Sequence, residues 1–218
     1  MYDRKSNSLW SQALGEGIVG EYAGIKLDRI PFDVAYWKEW KKLYPESQVL
    51  SRDTGSVRPY GADPYGDYYT NDLILFPVAN DDKRLGLKEI IIGLENNNKE
   101  QYKAYKLQDI ESNKVINDVI GDDKKIVLVS LQPFMVRVFD RVIDSDDDNE
   151  GNNITVDLFY NQANNTLIDR VTNSEVNFDG KFINGQLQDK QLKRLPMDQG
   201  FWFEWTAFYP ETEVYQLK

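Results

Sequence analysis

With no histidine and no cysteine in its 218 residues, this chain cannot build a Ser-His-Asp triad or a cysteine nucleophile. Nor can its side chains make an ordinary zinc, copper or haem site. Any chemistry it performs runs on carboxylates, lysine, tyrosine or arginine, and these types concentrate in two places. The first is "RPYGADPYGDYY", residues 58–69, with four tyrosines, two aspartates, two prolines and two glycines. Arg58, Tyr60, Asp63, Tyr65, Asp67 and Tyr68 would line a polar, aromatic-walled ligand pocket. The competing reading is that the tyrosines only staple a long crossover to the body. A catalytic use would make Asp53, Asp63 or Asp67 the acid or base, and it requires two carboxyl groups about 5–9 Å apart in one cleft.

The second place is "DSDDDNEGNNITVD", residues 144–157. From Asp146 the spacing D-x-D-x-E-G, with Asp157 at the twelfth position, is a partial calcium loop. Asp146, Asp148, Glu150 and Asp157 are the candidate ligands, and calcium is the one cofactor the sequence raises. The eighth position is Asn153 instead of an apolar residue, and the flanks read as strands rather than helices. A solvated hairpin tip is therefore the competing reading. No phosphate-binding glycine motif is present.

Bulk properties bound the partners. A net charge of −10 opposes binding to a nucleic-acid backbone or an anionic membrane surface. No apolar stretch approaches the 18 residues of a membrane span. A hydrophobic fraction of 41% with 13% aromatics is a globular profile. A small molecule, a glycan or a protein remain as ligand classes.

The elements that position these residues are written twice. Residues 3–14 align with 169–180 and, after one deletion, 16–49 align with 181–214, with 17 identities over 46 positions. Asp3, Arg4, Asn7 and Ser8 match Asp169, Arg170, Asn173 and Ser174. Gly20, Leu27, Arg29 and Pro31 match Gly185, Leu192, Arg194 and Pro196. Trp37, Glu39, Trp40, Tyr44 and Pro45 match Trp202, Glu204, Trp205, Tyr209 and Pro210. That density at a nearly fixed offset points to a duplicated structural unit.

Each copy predicts a strand leaving through an Asn-Ser turn, Gly-punctuated short strands, and a helix that Pro31 or Asp33 starts and Pro45 stops. Trp37, Trp40 and Tyr44 share a face at helical spacing, as do Trp202, Trp205 and Tyr209. Such aromatics serve either as a sugar-stacking platform or, as the duplication favours, as core anchors. "SQVL" and "TEVY" after the prolines read as the beginnings of strands.

Between and around the copies, "LILFPV", "KEIIIGL", "YKAYKL", "KIVLVSL", "FMVRVFDRV" and "ITVDLFY" read as strands, with "ENNNKEQ" and "VIGDDKK" as hairpin loops. The predicted fold is mainly β (β-rich α+β), with antiparallel sheets, short aromatic helices and a pseudo-twofold relation. It divides into residues 1–50, a crossover and central strands at 51–125, and a second lobe at 126–218, all in one globular unit.

Five segments in order, "MYDRKSNSLWSQALGEGIVGEYAG", "VLSRDTGSVRPYGADPYGDYY", "FPVANDDKRLGLKE", "KAYKL" and "FWFEWTAFYPETEVY", resemble the bacterial and archaeal family catalogued as domain of unknown function 3179. The resemblance touches nearly the whole chain and carries no established activity. It implies an extracytoplasmic or cell-surface location. It also implies a longer product with an export or lipid-anchor signal and a "CPLCG"-like segment upstream, so that copy one lacks its opening strands. The expected role is a non-catalytic extracytoplasmic binding or structural module using the tyrosine-rich segment. The alternative is a carboxylate-dependent enzyme acting on glycans or a similar polar substrate.

Overall fold

In the computed structural model, which describes residues 1–121, 124–143 and 153–217, copy one forms three short strands and a helix. The strands β1 (Tyr2–Asp3), β2 (Ser8–Ser11) and β3 (Glu16–Val19) make an antiparallel sheet in that order. Helix α1 (Trp37–Leu43) follows. Residues 51–89 cross over with a single 3-10 turn, Gly66–Tyr69, as their regular element.

The body starts with β4 (Ile90–Glu95), β5 (Tyr102–Lys106) and helix α2 (Leu107–Asn113). An antiparallel meander of β6 (Val115–Ile120), β7 (Lys124–Gln132) and β8 (Met135–Asp140) comes next. The small pair β9 (Val142–Ile143) and β10 (Ile154–Thr155) leads to copy two. There β11 (Leu158–Asn161), β12 (Thr166–Asp169), β13 (Glu175–Val176) and β14 (Phe182–Asn184) form a sheet in chain order. The chain closes with β15 (Asp198–Phe201), helix α3 (Trp202–Phe208) and β16 (Glu213–Val214). The order β15-β4-β5-β16 makes a four-stranded sheet in which β16 runs parallel to β5. The fold is mainly β, with antiparallel sheets and three short helices, as the residue pattern predicts.

The β7 run "IVLVS" shows why the centre is so apolar. Side chains alternate faces along a strand, and both faces here are covered. Ile126 and Leu128 join Ile92, Tyr105, Ile110 and Val138 in one buried cluster. Val127 and Val129 join Phe139, Leu158, Phe182 and Leu192 in a second. Trp202 and Trp205 pack with Ile91 and Ala104 in a third. Copy one contributes no buried member to these clusters.

Two expectations need correction, and one helix goes beyond them. "LILFPV" is not a strand: Leu73, Leu75 and Phe76 are exposed, the Asn71 side chain accepts the Leu73 N–H in a turn, and Pro77 lacks a donor. "QDIESN" forms most of α2, because Leu107 and Ile110 at i, i+3 spacing bury against the meander. Neither aromatic helix starts at the proline or aspartate. Both begin at the first tryptophan, because the residues before it are committed elsewhere. Phe201 lies in β15, paired with Ile90, while Arg194 holds the Phe32 carbonyl and the Asp33 carboxylate.

The local physics of the two copies nevertheless coincides. Asn7 and Asn173 take left-handed backbone at φ 52° and 57°. The Ser8 hydroxyl accepts the Tyr22 N–H and the Ser174 hydroxyl the Leu187 N–H, each at 3.0 Å. Trp40 donates to Ser47 and Trp205 to Thr212, again at 3.0 Å in both. Gly20 and Gly185 sit at φ 98° and 92°, where a Cβ would fall 2.7 Å from the Ser8 Cα and 2.6 Å from the Ser174 Cα. Alanine at Gly185 adds both left-handed strain and a backbone clash. We expect a loss of about 1–3 kcal/mol, read as a lowered midpoint in a thermal melt, with Gly20→Ala changing stability in the same direction.

What differs is burial. Leu192 is 1% exposed and its counterpart Leu27 47%; Trp202 is 0% exposed and Trp37 48%. The aromatic face is a core anchor in copy two, covered by β4 and β5. In copy one it lies half open.

Candidate functional site

The copies meet across two reciprocal ion pairs. Arg29 of copy one donates to Asp198 of copy two at 2.5 Å, and Arg194 of copy two donates to Asp33 of copy one. Arg29 aligns with Arg194 and Asp33 with Asp198, so each copy gives the same cation and the same carboxylate to the other. This is the isologous pattern of a twofold contact.

The two carboxylates are not equally satisfied. Asp33 is shared by two arginines: Arg194, and Arg137 from β8, which binds it through Nε at 3.1 Å and Nη2 at 2.8 Å. Arg137 also donates to the Phe178 carbonyl, pairs with Asp179 and lies over the Phe178 ring at 4.4 Å. Burial alone would raise the Asp33 pKa, but the Arg137 and Arg194 contacts outweigh it and hold it below the usual range. Asp198 has Arg29 as its one cation among the described residues. Burial raises its pKa, the Arg29 charge opposes that rise without cancelling it, and Glu95 adds to it. Its side chain is 39% exposed, against 7% for Asp33.

Beside Asp198 opens a cavity of about 690 Å³ between the copies. Gln12, Ala13, Arg29 and Ile30 line it from copy one; Asp198, Phe201, Glu204, Trp205 and Tyr209 line it from copy two. Tyr209 reaches the Ala13 carbonyl at 3.4 Å, and its hydroxyl pKa is pushed up to about 12 by burial and by the Asp198 charge, with Arg29 opposing. Gln199 at the same wall donates to the Phe134 carbonyl, while its buried Oε1 finds no partner among the described residues. The arrangement offers an aromatic wall, a carboxylate with one engaged oxygen, and an amide acceptor.

The tyrosine-rich segment lies on the surface nearby. Arg58, Tyr60, Asp63, Tyr65 and Asp67 are exposed, and Tyr68 is half-buried. Tyr60 and Thr54 share a hydrogen bond at 2.7 Å, and Asp63 caps the Tyr65 N–H at 2.9 Å, so these groups partly serve their own loop. Tyr65, Tyr68 and Tyr69 form a ring triad with centroids 6.3 Å apart. Lys88 sits 3.5 Å above the Tyr68 ring. The segment, Asp53 included, lines neither the main cavity nor two smaller ones. It does touch the cleft: the Tyr69 ring meets Phe201, a cavity residue, at 6.3 Å.

Of the calcium candidates, Asp146, Asp148 and Glu150 lie outside the described residues. Asp157 pairs with Arg170 at 3.2 Å and approaches Arg141 at 4.0 Å, so its charge is already engaged. Among the described residues no group of three or more acidic side chains is arranged to hold a metal.

Sequence reasoning did not single out Arg29, Asp33, Arg137 or Asp198 as functional. The repeat carried the signal: arginine and aspartate persist in both copies where the apolar residues beside them drift from Ile30 to Leu195 and from Phe32 to Met197.

Among the described residues no helix is long and apolar enough to cross a membrane. No curated protein and no solved structure matches the chain. Residues 1–212 match the family described as Protein of unknown function (DUF3179), and with nearly the whole chain covered, this protein belongs to that family.

Proposed function

We propose that this chain is a non-catalytic binding module, working outside the cytoplasm, whose ligand lies in the cleft between the two copies with the tyrosine-rich segment at its rim. The observation that carries the reading is the aromatic path from Tyr65 through Tyr69 to Phe201, which joins that segment to the cavity wall. Aromatic walls around a few fixed polar groups are the usual make-up of a ligand pocket. Arg29 lies between Asp198 and Glu95, at 2.5 and 3.6 Å, a balance suited to holding a ligand. The extracytoplasmic setting follows from the family resemblance.

A thermal melt against soluble glycans, amines and peptides tests the reading. A ligand at about 100 times its dissociation constant adds roughly 2.7 kcal/mol, a rise of about 5–10 °C at this size. Phe201→Ala should abolish the rise. A rise that survives Phe201→Ala would place the ligand elsewhere.

The enzyme alternative has one observation in its favour: Asp198, with its raised pKa, and Glu204 line the same cavity. A carboxyl group whose pKa is raised, in one cleft with a second carboxylate, is the kind of pairing that carboxylate catalysis uses. Product release by the native chain that Asp198→Asn abolishes would replace binding by catalysis.

A further inference from the structure

Asp33 and Asp198 occupy aligned positions, each paired with the arginine of the other copy, but only Asp33 receives a second guanidinium. Around Asp33 the guanidinium of Arg137 meets the Phe178 ring and carbonyl and pairs with Asp179, while Arg194 binds the same Asp33 carboxylate. The aligned residues on the other side are Gln12, Ala13 and Arg29, facing Asp198, and all four line the cavity. The main cleft is therefore the position, under the exchange of copies, that Arg137 fills at the other end.

The backbone tells the same story. The β8 strand carrying Arg137 lies along residues 193–195: Asp140 donates to the Lys193 carbonyl and Leu195 to the Val138 carbonyl, each at 2.9 Å. Residues 28–30 are the counterpart of that edge. Leu195 is 8% exposed under its strand, whereas Ile30 is 80% exposed. One carboxylate oxygen of Asp198 is held by Arg29. The other receives no donor among the described residues, whereas Asp33 uses both.

We propose that the cleft takes an arginine side chain presented by an extended polypeptide strand, the guanidinium lying on Asp198 and the strand adding to residues 28–30. The mode is strand addition, in which main-chain hydrogen bonds supply affinity and one side-chain pocket supplies selectivity. The planar guanidinium suits a carboxylate that already holds one arginine, because it donates in a fork and remains charged. Phe201, Trp205 and Tyr209 supply aromatic wall beside it. The proposal rests on the binding reading and names its ligand.

The test is isothermal titration of the purified chain with a blocked peptide of the β8 sequence, Met135–Asp140, and with the same peptide carrying neutral citrulline for arginine. The arginine peptide should bind at least about tenfold more tightly, the worth of a charge-assisted hydrogen bond. Asp198→Asn should remove that preference. Equal affinity for the two peptides overturns the proposal, as does absence of heat at millimolar arginine peptide. Equal preference in a folded Asp198→Asn variant also overturns it, and should that variant fail to fold, the citrulline comparison on the native chain still decides. A ligand that raises the melting point through Phe201 while the arginine peptide does not bind would leave the binding module standing and remove only the arginine.

Discussion

Trp202→Ala should cost about 3–5 kcal/mol, and Trp37→Ala about 1 kcal/mol or less, although the two tryptophans open the same helix in the two copies. Trp202 is fully buried against Ile91, Ala104 and Trp205, and its indole N–H is satisfied by the Asp82 carbonyl at 3.1 Å. Truncation removes a large apolar area and leaves a cavity that β4 and β5, tied into a four-stranded sheet, cannot close. It also orphans the Asp82 carbonyl. Trp37 is about half exposed and belongs to none of the buried clusters, so less apolar contact is lost. Urea denaturation of both variants measures the difference. Equal losses would mean that Trp37 is covered in solution as well as Trp202.

The second large effect belongs to Arg137. Its side chain is 4% exposed and that of Asp33 7%. Removing one partner of a buried pair leaves an uncompensated charge, so Arg137→Ala should cost about 3–5 kcal/mol. The Asp179 pairing adds little, because that carboxylate is 72% exposed. Replacing both Arg137 and Asp33 by apolar residues should cost less than the sum of the single changes, the signature of a coupled pair.

Acid titration gives a second readout. The Asp33 pKa is lowered in the folded protein. Its stabilisation is therefore present above the unfolded carboxylate pKa and lost as pH falls through the lower folded value. Asp198 works in the opposite sense: with its pKa raised above 3.8, the folded state takes up that proton first, and stability from this group grows on acidification through the raised value. The Asp198→Asn variant should therefore lose more stability than the native chain as pH falls through the raised Asp198 value, while Arg137→Ala should lose less than the native chain as pH falls below the unfolded carboxylate pKa. Chemical denaturation at stepped pH separates the two.

How far these properties were legible in the sequence depends on their range. The strands β4, β5, β7 and β8 were readable because β-branched runs between turn residues answer to local propensity and period-2 burial. "LILFPV" shows the limit, since the same composition remains unpaired and exposed where no neighbouring strand meets it. The start of α1 and α3 was missed for a related reason: Phe201 is claimed by a strand and Asp33 by two arginines, both long-range commitments. Asp63, Asp67 and the tyrosines were prominent by local density, yet the cavity draws on Arg29, Asp198 and Tyr209, separated by up to 180 positions along the chain.

By itself the sequence determined the exclusion of histidine and thiol chemistry, the mainly β character, and the 17 identities that relate residues 3–49 to residues 169–214. The first two are settled within a few residues, by side-chain chemistry and backbone sterics. Only the tertiary structure decided that one copy is buried and the other open, that Asp33 receives two guanidinium groups and Asp198 one, and that a cleft opens between them. Those outcomes depend on which strands cover each copy, and burial is a property of neighbours distant in the chain. Two segments that share 17 of 46 positions can therefore differ by a whole hydrophobic core.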